Sequence, residues 1–168
     1  MPKVFSILTG FDNPVLRKKS AKIVKIDQKI KKLADLMQEV MDEAKGVGLA
    51  APQVGQNIRL IIIRYYLAEE RTKKLVLINP EIVALSKTEI VREEGCLSLP
   101  NVWEKIARPR WVQVKFQDLK GNLQIWKMED LNARVVSHEI DHLEGILFVD
   151  RLEIFEAANI KKREALKS

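Results

Sequence analysis

The first strong pattern in this chain is an apolar stripe at the three- and four-residue spacing of an amphipathic helix. It covers residues 27–45, where Asp27 is placed to cap the helix and Gly46 to end it. The stripe consists of Ile30, Leu33, Met37, Val40, Met41 and Ala44. We therefore expect an amphipathic helix here, with one face packed on the rest of the protein.

After this helix the pattern changes to β-rich runs and to alternation of apolar with polar residues. Residues 58–66 form the longest run, and shorter runs at residues 75–78 and 81–85 are separated by a proline. Apolar side chains then alternate over residues 112–116, a turn sequence follows, and residues 123–126 return, which predicts a hairpin. Strands are therefore expected to dominate the middle of the chain.

Helical features return towards the C-terminus. Glu129 and Asp130 stand where a helix dipole favours negative charge, and Gly145 is placed to end the helix that they begin. Residues 153–168 are predicted to form a basic helical tail. The predicted fold class is α+β: mixed, mainly antiparallel short sheets around a central helix, with an N-terminal and a C-terminal helix, in one domain over residues 1–168.

Composition narrows the function classes only moderately. The chain is 46% hydrophobic and 31% charged, as in ordinary globular proteins, and no stretch of it reads as a membrane span or a secretory signal. Its single cysteine, Cys96, cannot form an internal disulfide, so we expect a cytoplasmic protein. The formal charge of +6 suits a solvated exterior as well as a nucleic-acid surface, and no sequence-specific nucleic-acid partner is expected.

The only two histidines, His138 and His142, are four residues apart in the predicted second helix, and Glu139 directly follows the first. Positions four apart lie on one helix face and can present two imidazoles to one metal ion. Glu139 is too close in sequence to coordinate the same ion comfortably, but it can handle a proton of a metal-bound water. The spacing predicts a metal site in which this helix supplies two ligands.

A catalytic site of this kind needs a third protein ligand, and the sequence offers more than one candidate. Phe148 stands where one protease class has its third histidine, and it cannot bind a metal. Glu164 is suitably spaced but belongs to the basic tail. Cys96 lies between Gly95 and Pro100, which indicate a bent or bulged segment that would fix the direction of the thiol.

Residues 46–53, with the sequence GVGLAAPQ, form a small-residue segment directly after the first helix. The glycines and alanines allow another backbone to approach closely, and Gln53 supplies an amide that can donate a hydrogen bond to an oxygen. A plain turn between helix and strand would have a similar composition.

Taken in order, three segments resemble the motifs of the peptide deformylases: GVGLAAPQ at residues 46–53, EGCLS at residues 94–98 and HEIDH at residues 138–142. The resemblance extends from about residue 7 to residue 152. The ordered set is far more specific than any one of the three.

The resemblance implies a set of site residues. It places the metal on Cys96, His138 and His142, makes Glu139 the general base and acid, and gives Gln53 and the backbone N–H of Leu97 the role of steadying the oxyanion. It also implies a salt bridge between Glu94 and Arg108. The implied substrate-binding residues are Val47, Gly48, Gly95, Leu131 and Val135. Asn101 departs from the glycine that is frequent at its position, which affects the outer substrate contacts.

The implied reaction is hydrolysis of the N-terminal formyl group from newly made polypeptides, with release of formate. A metal ion lowers the pKa of a bound water from about 15.7 towards neutrality, which supplies a hydroxide nucleophile for the formyl carbon. The resemblance favours Fe2+ as the single divalent ion per chain. One thiolate and two imidazoles would also accept Zn2+, Ni2+ or Co2+.

The expected partners are formylated nascent peptides, and the basic C-terminal helix is a candidate for docking on the ribosome surface. No membrane partner is expected. Two rival functions stay open on the sequence alone. One is a metal-dependent amidase or peptidase with another substrate, and the other is a basic ribosome-associated or nucleic-acid-binding protein whose metal is structural.

Overall fold

A computed structural model describes residues 5–152 and residue 166. Helix α1 spans Gln28–Glu43, and the side chain of Asp27 accepts a hydrogen bond from the N–H of Ile30, so the predicted cap is confirmed. Helix α2 spans Asp130–Leu143, with Glu129 as its N-cap residue, and confirms the second predicted helix. None of the helices in this part of the chain has the length and apolar character needed to cross a membrane.

In residues 5–152, seven strands form two antiparallel sheets. The larger sheet has the order β1-β2-β3-β6-β7, and the smaller one pairs β4 with β5. The strands are β1 Gly48–Ala50, β2 Leu60–Tyr66, β3 Thr72–Leu85, β4 Glu89–Cys96, β5 Leu99–Pro109, β6 Trp111–Gln117 and β7 Leu123–Glu129. A short 3-10 helix, Ala51–Val54, follows β1. The α+β class with mainly antiparallel sheets is confirmed, although several strands are longer than expected.

Strand β3 corrects the sequence-based boundaries. Two strands separated by Pro80 were predicted, whereas one strand continues through this position. The pairing with β6 shifts between Ile78 and Glu81, and Asn79 has a left-handed backbone with φ of 51°. Pro80 therefore lies at a bulge, where no N–H is needed for the ladder.

Strands β4 and β5 were missed. Charged residues interrupt the apolar positions of both strands, as at Arg92 and Glu93 in β4 and at Glu104 and Lys105 in β5, so the alternation that predicts a strand is weak. The predicted bend between Gly95 and Pro100 is present, because the two strands turn there with a shift of register.

Strand β2 of the larger sheet is buried between the two helices. Along β2, Leu60 and Ile62 pack with the apolar face of α1, while Ile61 and Ile63 pack with α2. Burial on both faces explains the continuous apolar run of this strand. Helix α2 also contacts β5 of the smaller sheet, so it is central in the fold. The predicted C-terminal helix at residues 153–168 lies outside the described residues, apart from residue 166, and residues 148–152 are helical.

Candidate metal centre and active site

Helix α2 presents His138 and His142 on one buried face. Their ring centroids are 5.1 Å apart, and the two side chains are almost inaccessible to solvent. Every residue from 133 to 143 is buried. A polar helix face at such a depth needs partners, because burying unpaired polar groups is costly.

Cys96 is brought to the two histidines by the end of strand β4. Gly95 pairs with Trp103 across the smaller sheet, whereas Cys96 pairs with Leu99, and this irregularity turns the strand towards α2. The Sγ atom of Cys96 lies 3.3 Å from Nε2 of His142. One donor atom from each of Cys96, His138 and His142 lies within 4.8 Å of the others.

Within residues 5–152 no other set of cysteine, histidine or acidic side chains forms such a group of three. Glu164, the alternative third ligand, lies outside the described residues. Phe148 instead packs against the ring of His138, with centroids 6.0 Å apart. The geometry therefore favours Cys96.

The donor set and its surroundings fit a divalent metal ion. Nδ1 of His138 donates to Oε2 of Glu94 at 2.8 Å, which fixes the tautomer whose Nε2 lone pair is free to bind a cation. A thiolate with two neutral imidazoles is a common shell for Zn2+ and for other first-row divalent ions. These three residues could accordingly hold one metal ion.

Glu94 lies at the centre of a buried ionic network. Arg108 reaches both of its carboxylate oxygens, at 3.2 and 2.7 Å, so the implied salt bridge is present and is bidentate. Arg134 adds a bond of 3.1 Å to the same carboxylate. Burial would raise the pKa of Glu94, but the bonds from His138 and Arg108 hold it well below its usual range.

The network continues to a second carboxylate on α2. Arg108 donates to Asp141 at 2.6 Å, and Arg151 adds two bonds to Asp141, each of 2.6 Å. Arg134 also donates to the backbone carbonyl groups of Ile90 and Ile106 and thereby ties α2 to both strands of the smaller sheet.

Sequence reasoning missed Arg134, Asp141 and Arg151. A usable signal did exist for Arg134, because it stands four residues before His138 on the same face of the helix. Arg151 offered no such signal, since its contact with Asp141 depends on the chain path after α2.

Glu139 directly follows His138 on α2 and lines the same cleft as His138 and Cys96. It is 4% exposed, and its Oε2 has no hydrogen-bond partner within the described part of the chain. Burial raises its pKa to about 7, although His138 and Arg108 oppose this rise. Gly48 leaves the space for this side chain, because a Cβ atom at Gly48 would come within 2.8 Å of Glu139 Cδ.

The two histidines differ in their charge preferences. Burial lowers the pKa of His142 well below its usual value, and the nearby His138 and Arg108 lower it further. Burial also opposes protonation of His138, but the hydrogen bonds with Cys96 and Glu94 raise its pKa well above the usual value. The negative side chains around His138 therefore favour positive charge at this place, and a metal ion bound to Nε2 would take the place of the proton.

Gln53 is held rigidly beside Cys96. Its Oε1 accepts a hydrogen bond from the N–H of Ala50 at 2.9 Å, which fixes the direction of the amide. Its Nε2 donates to Oγ of Ser98 at 3.0 Å and lies 3.8 Å from the Cys96 sulfur. Ser98, which is fully buried, was also missed by sequence reasoning.

These groups lie at a cleft with a volume of about 560 Å³. His142 lies beneath it and does not line it. The predicted residues that do line it are Val47, Gly48, Gln53, Gly95, Cys96, Leu97, Leu131, Val135, His138 and Glu139. Trp103 covers Gly95 at the same cleft, and a Cβ atom at Gly95 would lie 2.6 Å from its ring. The structure thus brings all the predicted site residues together.

Comparison with known proteins shows which family the chain belongs to. The family model described as polypeptide deformylase matches residues 5–158. This chain belongs to the polypeptide deformylase family. The peptide deformylase of Prochlorococcus marinus (strain AS9601) is 44% identical over 150 residues, which cover 89% of this chain and 75% of that protein. The peptide deformylase of Dictyoglomus thermophilum is 45% identical over 139 residues, with 83% and 87% covered.

Solved deformylase structures share the fold. A probable peptide deformylase from Synechococcus phage S-SSM7 has a TM-score of 0.81 and 41% identity, over 88% of this chain and 99% of that chain. The Met-Ala-Ser-bound class I type b peptide deformylase from Acinetobacter baumannii has a TM-score of 0.83 and 34% identity, with 90% and 99% covered. The chain is accordingly a hydrolase that removes the N-formyl group from newly made peptides.

Proposed function

We propose that this deformylase works with one divalent metal ion held by Cys96, His138 and His142, with Glu139 moving the proton and with Gln53 and Leu97 binding the oxyanion. The observation that carries the proposal is the meeting of the Cys96 sulfur with two imidazoles from α2, beside the carboxylate of Glu139, whose Oε2 has no hydrogen-bond partner among the described residues. The resident ion is proposed to be Fe2+. Zn2+, Ni2+ and Co2+ are compatible with the same donors.

A bound divalent ion would supply Lewis acidity, which lowers the pKa of water and polarises the formyl carbonyl. The protein supplies the orientation of the ligands. Glu94 fixes the His138 ring through the bond of 2.8 Å, and Arg108 and Arg134 hold Glu94 in turn. Such supporting contacts commonly change metal affinity by about 10- to 100-fold when they are removed.

Glu139 is placed to transfer the proton. Its Oε2 has no partner among the described residues, and its carboxylate lines the cleft. In the proposed reaction this carboxylate accepts a proton from the attacking water and delivers it to the departing amine, which could not leave as an anion. Gly48, which has no side chain, leaves room for the side chain of Glu139.

The oxyanion site is proposed at Gln53 and the N–H of Leu97. The amide of Gln53 points its nitrogen towards Cys96 because the N–H of Ala50 occupies its oxygen. A donor fixed in advance needs no reorganisation when negative charge develops on the formyl oxygen. One such donor typically contributes about 3 kcal/mol to the stabilisation of the transition state.

The substrate methionine is proposed to lie against Val47, Leu131 and Val135, which give one side of the cleft an apolar lining. Gly48 and Gly95 would let the peptide backbone approach closely. The A. baumannii relative that binds Met-Ala-Ser supports a peptide of this length in the corresponding cleft. The chain thereby combines a small space for the formyl group with an apolar space for the first side chain.

The test uses protein purified without oxygen and formyl-Met-Ala-Ser as substrate. We expect about one divalent metal ion per chain and release of formate. Glu139→Ala should retain the metal and lose turnover, whereas Cys96→Ala should lose both. Acetyl-Met-Ala-Ser serves as the matched control and should not be cleaved at a comparable rate. Full activity in Cys96→Ala would overturn the ligand assignment.

The proposal extends to the cellular setting of the enzyme. We propose that residues 1–168 act as one catalytic domain in the cytoplasm, on formylated chains as they are made. The sequence-based prediction that the tail at residues 153–168 docks on the ribosome belongs to this proposal. Deletion of the chain after Glu153 should then weaken ribosome association in low salt, and unchanged association would contradict it.

A further inference from the structure

The positive charge of this chain is concentrated in one segment. Residues 17–32, which we call the lysine segment, contain eight basic residues and one acidic residue, a net charge of +7. The whole chain has a net charge of +6, so the remaining 21 basic and 22 acidic residues carry −1 together. The tail at residues 153–168 has four basic and three acidic residues and contributes only +1.

The backbone of the lysine segment is fixed on the protein surface. Ala21 forms a parallel bridge with Ile58, and Ile23 exchanges two hydrogen bonds of 2.8 Å with the side chain of Asn79. Ile23 and Ile30 are anchored in or against the apolar cluster that contains α1. The lysines between these anchors are therefore presented from an ordered chain, so little backbone conformational entropy is lost when they bind a partner.

Most of these lysines have no counter-charge among residues 5–152. Arg17 pairs with Asp150, and Lys19 lies 3.4 Å from Glu144. The one acidic residue of the segment, Asp27, is occupied by the helix cap. The other six lysines form no salt bridge with any side chain in residues 5–152; they are Lys18, Lys22, Lys25, Lys29, Lys31 and Lys32. All but Lys31, which is half-buried, are exposed.

We propose that the lysine segment is a binding surface for the phosphate backbone of duplex RNA, without sequence preference. Lysine acts as a point charge for phosphates, and the segment contains no aromatic side chain on which unpaired bases could stack. A membrane surface is a poorer match, because Val24 is the only exposed large apolar residue in the segment and no aromatic anchor accompanies it. The inference rests on charge and placement, so it can be tested without measuring deformylase activity.

The surface gives the proposed enzyme a way to work near its substrate. Newly made peptides leave an RNA-rich particle, and weak, salt-sensitive binding to RNA would raise the local concentration of enzyme there. The cleft does not include any residue of the segment, so RNA and peptide could be bound at the same time.

The experiment measures binding of the full-length protein to a fluorescent 20-base-pair RNA hairpin over 50 to 200 mM salt. Lys22→Glu/Lys25→Glu/Lys29→Glu changes three lysines of the segment. The matched control, Lys87→Glu/Lys105→Glu/Lys115→Glu, changes three exposed lysines elsewhere by the same total charge. Each neutralised phosphate contributes about 0.9 to the slope of log affinity against log salt concentration. The variant of the lysine segment should therefore lower the magnitude of this slope by about 3. It should also weaken binding at least about tenfold at 50 mM salt.

Several outcomes decide the proposal. Binding that is lost in the segment variant and nearly retained in the control supports it. Equal loss of binding in both variants would mean that only net charge matters and would overturn the proposal. Absence of binding at 50 mM salt would also overturn it. So would tighter binding to anionic lipid vesicles than to the hairpin. A stronger loss with Lys161→Glu/Lys162→Glu/Arg163→Glu would assign the surface to the tail and would also overturn it. Formate release measured in parallel should be unchanged in every variant, which separates this inference from the proposed catalytic function.

Discussion

Nδ1 of His138 donates a hydrogen bond of 2.8 Å to Oε2 of Glu94, and this contact joins the smaller sheet to the helix that carries both histidines. Glu94 comes from β4, two residues before Cys96, so the strand that supplies the sulfur also orients one imidazole. Arg108 and Arg134 neutralise the same carboxylate. The site and the fold are therefore linked through one buried acid.

Glu94→Gln is expected to weaken metal binding by about 10- to 100-fold, because the amide cannot hold the His138 tautomer as strongly as a carboxylate. Competition with a chelator of known affinity measures this change. Glu89→Gln, at the exposed start of the same strand, is the matched control and should retain wild-type affinity. Equal affinities in both variants would show that Glu94 does not orient the ligand.

Gly48→Ala is expected to lose turnover while it keeps its metal, because the new methyl group would displace the Glu139 carboxylate. A loss of about 10² to 10⁴ in kcat corresponds to removal of a general base. The control is the double-mutant cycle with Glu139→Ala. Once Glu139 is truncated, Gly48→Ala should cause little further loss, and additive effects would contradict this explanation.

Gln53→Leu is expected to lower kcat by about 10² to 10³ at unchanged metal content, because one oxyanion donor is removed. Ser98→Ala keeps that donor and removes only the group that holds it, so its loss should be smaller. Formate release and elemental analysis on both variants check this order. A larger loss of kcat in Ser98→Ala than in Gln53→Leu would contradict the assignment of the oxyanion donor to Gln53.

Arg108→Met should destabilise the protein by about 3 to 5 kcal/mol, because Glu94 and Asp141 would be left buried with fewer partners. Arg110→Met is the control. This arginine is two residues along and exposed, and it lies 3.9 Å from Asp130, so its removal should cost less than about 1 kcal/mol. Urea denaturation of both variants measures the difference, and similar midpoints would contradict the energetic role of the network.

Removal of the metal with a chelator should abolish formate release without unfolding the protein. The core of the described residues consists of three apolar clusters, and the proposed ligands touch it only at the edge of one of them, where Cys96 packs and where the ring of His138 lies against Phe148. Far-UV circular dichroism at 25 °C should be unchanged, and activity should return when Fe2+ is added without oxygen. Unfolding on chelation would instead indicate a structural metal site, the rival function considered from the sequence.

Local patterns in the sequence were sufficient for helices α1 and α2 and for half of the site. Helix α1, its cap at Asp27, helix α2 and the pairing of His138 with His142 on one face all follow from spacing within a few residues, because helical geometry is periodic. The α+β class and the hairpin of β6 and β7 follow in the same way. The family motifs then indicated Cys96, Glu139 and Gln53.

The three-dimensional fold was needed wherever a contact joins residues that are distant in the chain. The meeting of Cys96 with His142, the ring of arginines around Glu94 and Asp141, and the support of Gln53 by Ser98 depend on how β4 and β5 lie against α2. Strands β4 and β5 themselves escaped prediction because a strand is stabilised by its neighbours, so a charged sequence can form one when the partner strand is in place. The sequence specified which side chains carry the chemistry, and packing of the second sheet on the central helix fixed their distances.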